Sequence, residues 1–438
     1  MARYLNTSVL EGDIVDLAQD GRGVARVDGK AVFIDGALPG ERVRFRIFKR
    51  RRQFDEAGLI EILSASADRT TPRCRHFGVC GGCSLQHLEP EAQIRAKQSQ
   101  LQDAFEHIGR VAPQRVLAPM TGPHWAYRRR ARLGVKYVHK KGRVLAGFRE
   151  REKPFLADIR RCEILVEPLK DLPSELAALA ETLSIRDKLA QVEVAAGDEH
   201  TALVLRVMEA PTAEDVQKIS DFGAARGLQI FLQSGGLDTV RPVGEGYPPL
   251  SYTVDEGRVS IEFGPVDFIQ INRDINARLV SACLNLLEPR SGDAVLDLFC
   301  GLGNFTLPLA RRVRHVLGVE GDAGLVAKAR HNAVRNGIAN AEFAAENLFD
   351  PPKFGRWAER HFDLVLLDPP RAGAAELLPL MSQWQPRRVV YISCHPGSLA
   401  RDAGTLGTLG FTLTDAGVMD MFPHTTHVES IAVFERSA

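Results

Sequence analysis

The sequence predicts an α/β protein in three parts: a C-terminal Rossmann-like domain, an N-terminal OB-like β-barrel, and a central mixed α/β domain carrying a four-cysteine metal site. Three observations predict it. From about Asp267 onward, apolar strands alternate with helical segments, as βαβ units require. Residues 9–63 hold five short strand patterns separated by the turn dipeptides Asp20-Gly21, Asp28-Gly29 and Pro39-Gly40. Between these regions, Cys74, Cys80 and Cys83 crowd one Gly-rich segment. The boundaries fall at 1–66, 67–262 and 263–438, with a helix at 92–109 that packs on the last of the three.

The barrel strands are expected at Asp13–Leu17, Gly23–Val27, Ala31–Ile34, Glu41–Phe48 and Ala57–Ile62. The stretch Arg42-Val43-Arg44-Phe45-Arg46-Ile47-Phe48 alternates strictly, giving one basic and one apolar face, and Lys49 to Arg52 extend the charge. A strand of this kind suits a phosphate backbone.

Charge distribution points the same way. The net charge of +1 hides a basic block: residues 67–170 hold 21 Lys and Arg against 10 Asp and Glu, whereas residues 171–438 hold 24 against 35. One region is therefore expected to meet a polyanion. Within that block, Trp125-Ala126-Tyr127-Arg128-Arg129-Arg130-Ala131-Arg132 places aromatics beside clustered cations, a pattern suited to looped or single-stranded RNA. No segment approaches the ~20 apolar residues of a membrane span. The first thirteen residues lack the apolar core of a signal peptide, so a cytoplasmic location is expected.

Seven cysteines, unevenly spaced, do not form a secreted disulfide framework. Cys74, Cys80 and Cys83 follow C-x5-C-x2-C, and Cys162 completes a set of four thiolates. Four thiolates suit either zinc or an iron–sulfur cluster, and spacing does not choose between them. Cys283 lies in the apolar stretch Leu279–Leu287 and is expected in the core, and Cys300 is expected to pack within a loop. Ala92 to Ile108 read as an amphipathic helix. Strands are expected in the centre at Arg132–Val138, Gln191–Ala196, Ala202–Met208 and Leu228–Gln233.

In the last domain the short strand Ala294–Leu298 runs into Phe299-Cys300-Gly301-Leu302-Gly303-Asn304 and then a helix. A Gly turn between strand and helix frees backbone N–H groups for a nucleotide-like ligand. The next strand ends at Glu320, an acid placed to accept two ribose hydroxyls. Later strands lead to Asn347, to Asp368-Pro369-Pro370-Arg371, and to Ser393-Cys394-His395-Pro396. Asp-Pro-Pro is similar to a signature of amino-directed methyltransferases, but Arg371 stands where those carry an aromatic, which argues against an exocyclic amine as target.

Cys394, just past a strand end, is a candidate nucleophile. Thiolate addition to C6 of uracil makes C5 nucleophilic enough to take a sulfonium methyl, and a base must then remove the C5 proton. His424 and Glu429 are candidates for that base, with Glu429 opening the final strand.

These residues resemble the RNA uracil-5-methyltransferase family. The matching pieces are Phe268-Ile269-Gln270-Ile271-Asn272, Asp297-Leu298-Phe299-Cys300-Gly301, Asp368-Pro369-Pro370-Arg371, Ser393-Cys394 and His427-Val428-Glu429. The resemblance spans essentially the whole chain. It implies a class I S-adenosylmethionine-dependent methyltransferase domain, and the barrel resembles a TRAM domain. With the Cys74–Cys83 segment, the chain is most similar to the branch that forms 5-methyluridine in 23S ribosomal RNA. Gln270, Phe299, Asn304, Glu320, Asn347 and Asp368 would then line the S-adenosyl-L-methionine and target-base site. Cys394 would be the nucleophile, attacking a flipped-out uridine, and Glu429 the base. Cys74, Cys80, Cys83 and Cys162 would hold a [4Fe–4S] cluster, with zinc as the alternative, and the protein would act as a monomer. The family usually has Asn after Ser-Cys; here His395 follows, and a charged His395 would lower the Cys394 pKa. Competing readings are a transfer RNA methyltransferase, a non-catalytic RNA-binding iron–sulfur protein, and an exocyclic-amine methyltransferase that needs no cysteine.

Overall fold

The structure is a computed structural model describing residues 9–351 and 354–437, and it divides into two compact units. The first holds the described residues up to Gln100 together with Arg149–Phe155 and Phe422–His427; the second holds the remainder. The cysteine-rich loop at Cys74–Cys83 thus clusters with the barrel, and the central sheet clusters with the C-terminal domain.

In the first unit a six-stranded sheet runs in the order Val9–Asp13, Arg42–Arg50, Phe54–Ser64, Lys30–Asp35, Gly23–Val27, Asp16–Leu17. The alternation read from the sequence sets its faces. Val43, Phe45 and Ile47 turn inward on Ile14, Ala25, Val32, Ile34 and Ala57, and the intervening arginines turn outward. The first strand forms earlier than expected, at Val9–Asp13, because Ile14 leaves the edge to enter the core. Asp28 and Gly29, both at positive φ, make the hairpin turn that their types favour. On the outer face, Arg42 and Arg44 are answered by Glu11, Asp13 and Glu61. Lys49 and Arg51 are answered by Glu56.

The loop after the barrel is ordered by its own backbone. The Cys80 N–H donates to His76 O at 2.9 Å, the Gly81 N–H to Arg149 O at 2.8 Å, and the Cys74 N–H to Gln86 Oε1 at 3.1 Å. His424 also belongs to this unit: its backbone N–H donates to Gln93 Oε1 at 2.8 Å, and its carbonyl receives Ser84 and Leu85. It is buried at 3% exposure.

The second unit contains a six-stranded central sheet ordered Arg241–Pro242, Leu228–Gln233, Thr201–Val207, Leu189–Ala196, Arg130–Val138, Arg143–Gly147. A small hairpin, Leu250–Val254 with Val259–Phe263, follows. The eight-stranded sheet is ordered Ala341–Ala345, His315–Glu320, Ala294–Leu298, Leu364–Leu367, Arg388–Ser393, Glu429–Arg436, Phe411–Met419, Arg115–Val116. Its first five strands are parallel, and Glu429–Arg436 enters antiparallel. The chain reverses direction across the sheet between Ala294–Leu298 and Leu364–Leu367, so the carboxyl ends of these two strands define a ligand crevice. Both strands are buried along their whole length, as expected of parallel strands covered on two faces.

Helices carry their stop and start signals in the sequence. Asn272 caps Arg273–Leu287 through Ile275 N–H, and Asp322 caps Ala323–Arg335 through Gly324 and Leu325. Ile275, Leu279, Cys283 and Leu287 share one buried face, the Ile and Leu side chains each contributing about 1.5–3 kcal/mol; Cys283 is core, as expected. The amphipathic helix runs Pro90–Ala104 and then widens into a π turn, Phe105–Gly109, which packs on Pro396–Thr408.

Candidate active site

The glycine loop turns as its composition requires. Phe299 takes φ +65, Gly301 φ +53 and Gly303 φ +92, so three left-handed residues fold the chain back between strand and helix. Phe299 has a Cβ and pays strain for this conformation, a sign of a functional loop. Its ring lies against Phe349, with centroids 5.9 Å apart. A small pocket opens over the loop, lined by Gln270, Phe299, Asn304 and Asp368 of the predicted set, with Tyr252 and Phe268 beside them.

Glu320 stands at its strand end and braces the loop. Its Oε2 accepts from Gly301 N–H at 3.2 Å and its Oε1 from Asp322 N–H at 3.1 Å. Each oxygen keeps lone-pair capacity for a hydroxyl. Asn347 is exposed and lies outside that lining; its Oδ1 accepts from Phe349 N–H at 3.1 Å and so shapes the turn that offers Phe349 to Phe299.

Two acids sit at the crevice. Asp297 is wholly buried and accepts from the Thr306 hydroxyl at 2.5 Å, while its Oδ1 has no partner. Burial and the neighbouring Asp368 push it up to about 7. Burial likewise pushes Asp368 up to about 7.

Cys394 and Glu429 are brought together by strand register. Ser393 pairs with Ser430 across the antiparallel junction, so the next positions along the two chains are Cys394 and Glu429. The Ser430 hydroxyl donates to Ser393 O at 3.3 Å and fixes this end. Both side chains are half-buried. Burial first, then the carboxylates of Glu429 and Asp368, push the Cys394 thiol up to about 11, with Arg371 opposing the rise. Cys394, Glu429 and Asp368 therefore occupy one electrostatic neighbourhood.

His395 caps the helix Pro396–Thr408, its Nδ1 accepting from Ser398 N–H at 3.1 Å. An Asn side-chain oxygen would make the same cap, so the departure from the usual Asn preserves the local bonding.

The arginine segment differs from the expected basic strip. Arg129 is 2% exposed, its Nε donates to Gln270 O at 2.8 Å, and its guanidinium lies 4.5 Å from the Tyr252 ring centroid. Arg130 donates to Pro265 O, and Arg130 and Arg132 both reach Glu193. Arg129 thus supports the pocket residues Gln270 and Tyr252 from behind, and Arg130 and Arg132 belong to the central sheet. Sequence reasoning also missed Tyr252 and Asn276: the Tyr252 hydroxyl donates to Asn304 Oδ1 at 3.1 Å, and the two Asn amides exchange bonds at 3.0 Å. Phe268, read in the sequence only as part of a matching motif, stands 69% exposed at the pocket, with Ile269 buried behind it.

Among the described residues, no group of three or more His, Cys, Asp or Glu side chains is gathered to hold a metal ion. Nor does any helix among them have the length and apolarity to cross a membrane.

A half-buried thiol and a carboxylate at the carboxyl edge of a Rossmann-like sheet, beside a glycine-loop pocket, stand on a class I methyltransferase fold. The chain belongs to the tRNA (uracil-5-)-methyltransferase family, whose sequence profile matches residues 89–437; a TRAM domain profile matches residues 6–60. The 23S rRNA (uracil(1939)-C(5))-methyltransferase RlmD of Methylococcus capsulatus is 51% identical over 428 residues, covering 97% of this chain and 96% of that protein. The RlmD of Stenotrophomonas maltophilia strain K279a is 50% identical over 436 residues, covering 99% and 98%. Among solved structures, the Pyrococcus abyssi tRNA (uracil-54, C5)-methyltransferase in complex with S-adenosyl-L-homocysteine superimposes with a TM-score of 0.75 at 24% identity, covering 97% of this chain and all of that one. That likeness shows a shared fold.

Proposed function

We propose that this chain methylates carbon 5 of a uridine in 23S ribosomal RNA, with S-adenosyl-L-methionine as donor. The observation that carries the proposal is the register that sets Cys394 opposite Glu429, beside Asp368. Full-length similarity to the RlmD proteins supports the choice of 23S over transfer RNA.

The residues fit the donor. The pocket over Phe299–Asn304 offers aromatic and backbone surface, Glu320 offers two carboxylate oxygens beside the glycine loop, and Asp368 offers a carboxyl group in the pocket lining. When bound, S-adenosyl-L-methionine supplies a sulfonium methyl. The Cys394 thiolate adds to C6 of the uracil, forming a C–S bond and placing the electron pair at C5. C5 takes the methyl. Glu429 then accepts the C5 proton, the C5–C6 double bond re-forms, and the C–S bond breaks to return the thiolate. A thiol held up to about 11 is protonated in the ligand-free protein, so the attacking form is a minor one there. The target base must leave its stack to reach Cys394, and the exposed Phe268 ring gives it a stacking face.

The barrel contributes phosphate contacts. Arg46, Arg50 and Arg52 point outward and are not among the cations that Glu11, Asp13, Glu56 and Glu61 answer, and exposed Phe48 stands between them. We further propose that Cys74, Cys80, Cys83 and Cys162 hold an iron–sulfur cluster of structural role. The support is the C-x5-C-x2-C spacing and the tight loop that the His76 and Arg149 carbonyls impose around Cys80.

The test is methylation of 23S RNA by the purified full-length chain. Cys394→Ser is expected to abolish turnover, and a fully active Cys394→Ser would reject covalent catalysis. Iron and sulfide analysis of the same preparation is expected to find both; a zinc-loaded, colourless protein would replace the cluster with zinc.

A further inference from the structure

A buried carboxylate outside every matched motif ties the site together. Asp402 lies on the helix Pro396–Thr408 and is fully buried. Its Oδ2 accepts from the Tyr391 hydroxyl at 2.6 Å and from Ala374 N–H at 2.8 Å. Its Oδ1 accepts from Arg401 Nε at 2.8 Å, and Arg401 Nη2 donates to Ala372 O at 2.8 Å. Between Ala372 and Ala374, Gly373 takes φ +86, and a Cβ there would stand 2.6 Å from both Arg401 Nη2 and Asp402 Oδ2. The loop that begins at Asp368 and carries Arg371 is therefore clamped at its far end.

The clamp reaches both sides of the nucleophile. Tyr391 lies on the strand Arg388–Ser393, just before Cys394, and Asp402 lies on the helix just after it. Three segments that meet around the thiol share one carboxylate. Such a group is expensive to bury, and here every oxygen is used.

We propose that Asp402, with Arg401, is a positioning residue for the nucleophile, a reading that rests on covalent catalysis by Cys394: it fixes the Asp368–Ala374 loop, and with it Asp368 and Arg371, relative to the thiol. The charged groups facing that thiol are Glu429 from the final strand, and Asp368 and Arg371 from the clamped loop. His395, its neighbour, is committed to the helix cap. If the clamp opens, Arg371 and Asp368 lose their fixed distances while Glu429, held by strand pairing, keeps its own. Misplacement of about 1 Å is enough to cost ~100-fold in rate.

The experiment compares Asp402→Asn, Asp402→Ala and Arg401→Gln in the full-length protein, reading kcat, KM for S-adenosyl-L-methionine, and the pH profile of Cys394 alkylation by iodoacetamide. Asp402→Ala is expected to lower kcat by about 100-fold, with little change in KM, and to displace the alkylation profile. Asp402→Asn keeps an acceptor for Ala374 N–H and should fall between it and the wild type. Arg401 is half-exposed, so Arg401→Gln tests the clamp without emptying the core, and about a tenfold loss in kcat is expected. Folded variants with wild-type kcat and an unmoved alkylation profile would overturn the proposal, as would losses matched entirely by a lower folded fraction. An active Cys394→Ser would instead sink the covalent reading itself, so the two failures are told apart.

Discussion

Replacing Glu429 by Gln should make Cys394 more reactive while destroying turnover. Glu429 is the first charged group among the causes that, with burial largest, together push this thiol up to about 11, against an ordinary value of 9.0. At pH 8 a thiol three units below its pKa is ionised to roughly one part in 1,000, whereas at its ordinary value the thiolate fraction would be about one part in ten. The whole shift is thus worth ~100-fold in thiolate, and burial, its largest cause, persists in the variant. Removing the carboxylate recovers only part, so alkylation of Cys394 at pH 8 should quicken by more than about threefold and by less than ~100-fold. The sign is fixed: loss of a negative neighbour favours the thiolate. Iodoacetamide labelling of the Cys394 peptide, followed by mass spectrometry across pH 7–10, reads this directly. Methyl transfer by the same variant should drop by about 100-fold or more for want of a base, with a protein–RNA adduct accumulating. A variant that labels no faster than the wild type would refute the placement of Glu429 beside the thiol.

Four further outcomes follow from the geometry. Asp297 and Asp368 are both pushed up to about 7, so the crevice gains negative charge as pH rises through that value. Binding of S-adenosyl-L-methionine, a sulfonium cation, should therefore strengthen relative to the neutral S-adenosyl-L-homocysteine between pH 6 and 8; a ratio flat with pH in calorimetry would count against these acids facing the sulfonium. The same shifts mean the folded protein binds more protons than the unfolded chain above the ordinary carboxylate range, so their contribution to stability falls as pH rises toward about 7. His395→Asn should melt with the wild type, since either side chain caps the helix, whereas His395→Ala should lose about 1 kcal/mol in denaturant titration; equal loss in both would show that the cap is not what matters. Gly303→Ala, at φ +92 and with Leu307 Cγ 3.0 Å from the added Cβ, should lose about 1–2 kcal/mol and weaken donor binding, read by denaturation and by calorimetry; a neutral result would mean the loop relaxes.

What was legible in the sequence was chemistry fixed by short range. The Gly301–Gly303 turn, the Glu320 strand tip and the Ser393-Cys394 strand end are each written in a few consecutive residues, and a parallel sheet brings such tips to one edge whatever else the chain does. The Cys394–Glu429 pair was readable for a related reason: both abut strands, and antiparallel pairing sets them opposite each other. The barrel's inward face was readable because period-two alternation leaves one solution. The arginine segment misled because a run of cations in sequence does not say which side chains a fold will enclose, and alternation buried Arg129 under Gln270 while leaving its neighbours to Glu193.

The supporting contacts were illegible because they join residues that only the fold makes neighbours. Tyr252 reaches Asn304 across 52 residues, and Asp402 reaches Ala374 across 28. Neither Tyr252 nor Asp402 carries a local mark: one is an apolar-strand Tyr, the other a helical Asp that reads as solvated. What distinguishes Asp402 is that its helix begins at the nucleophile. A helix capped by His395 must direct its first buried turns back over the strand it has just left, and so over Tyr391. The loop leaving the adjacent parallel strand arrives at the same place, because Leu364–Leu367 and Arg388–Ser393 are sheet neighbours. A polar group at that crossing satisfies the Ala374 N–H of the loop and the hydroxyl of the strand at once, and an apolar residue would leave both unpaired, at about 1–3 kcal/mol each. The topology that sets the Cys394 thiol just past its strand end therefore also creates the demand that Asp402 meets.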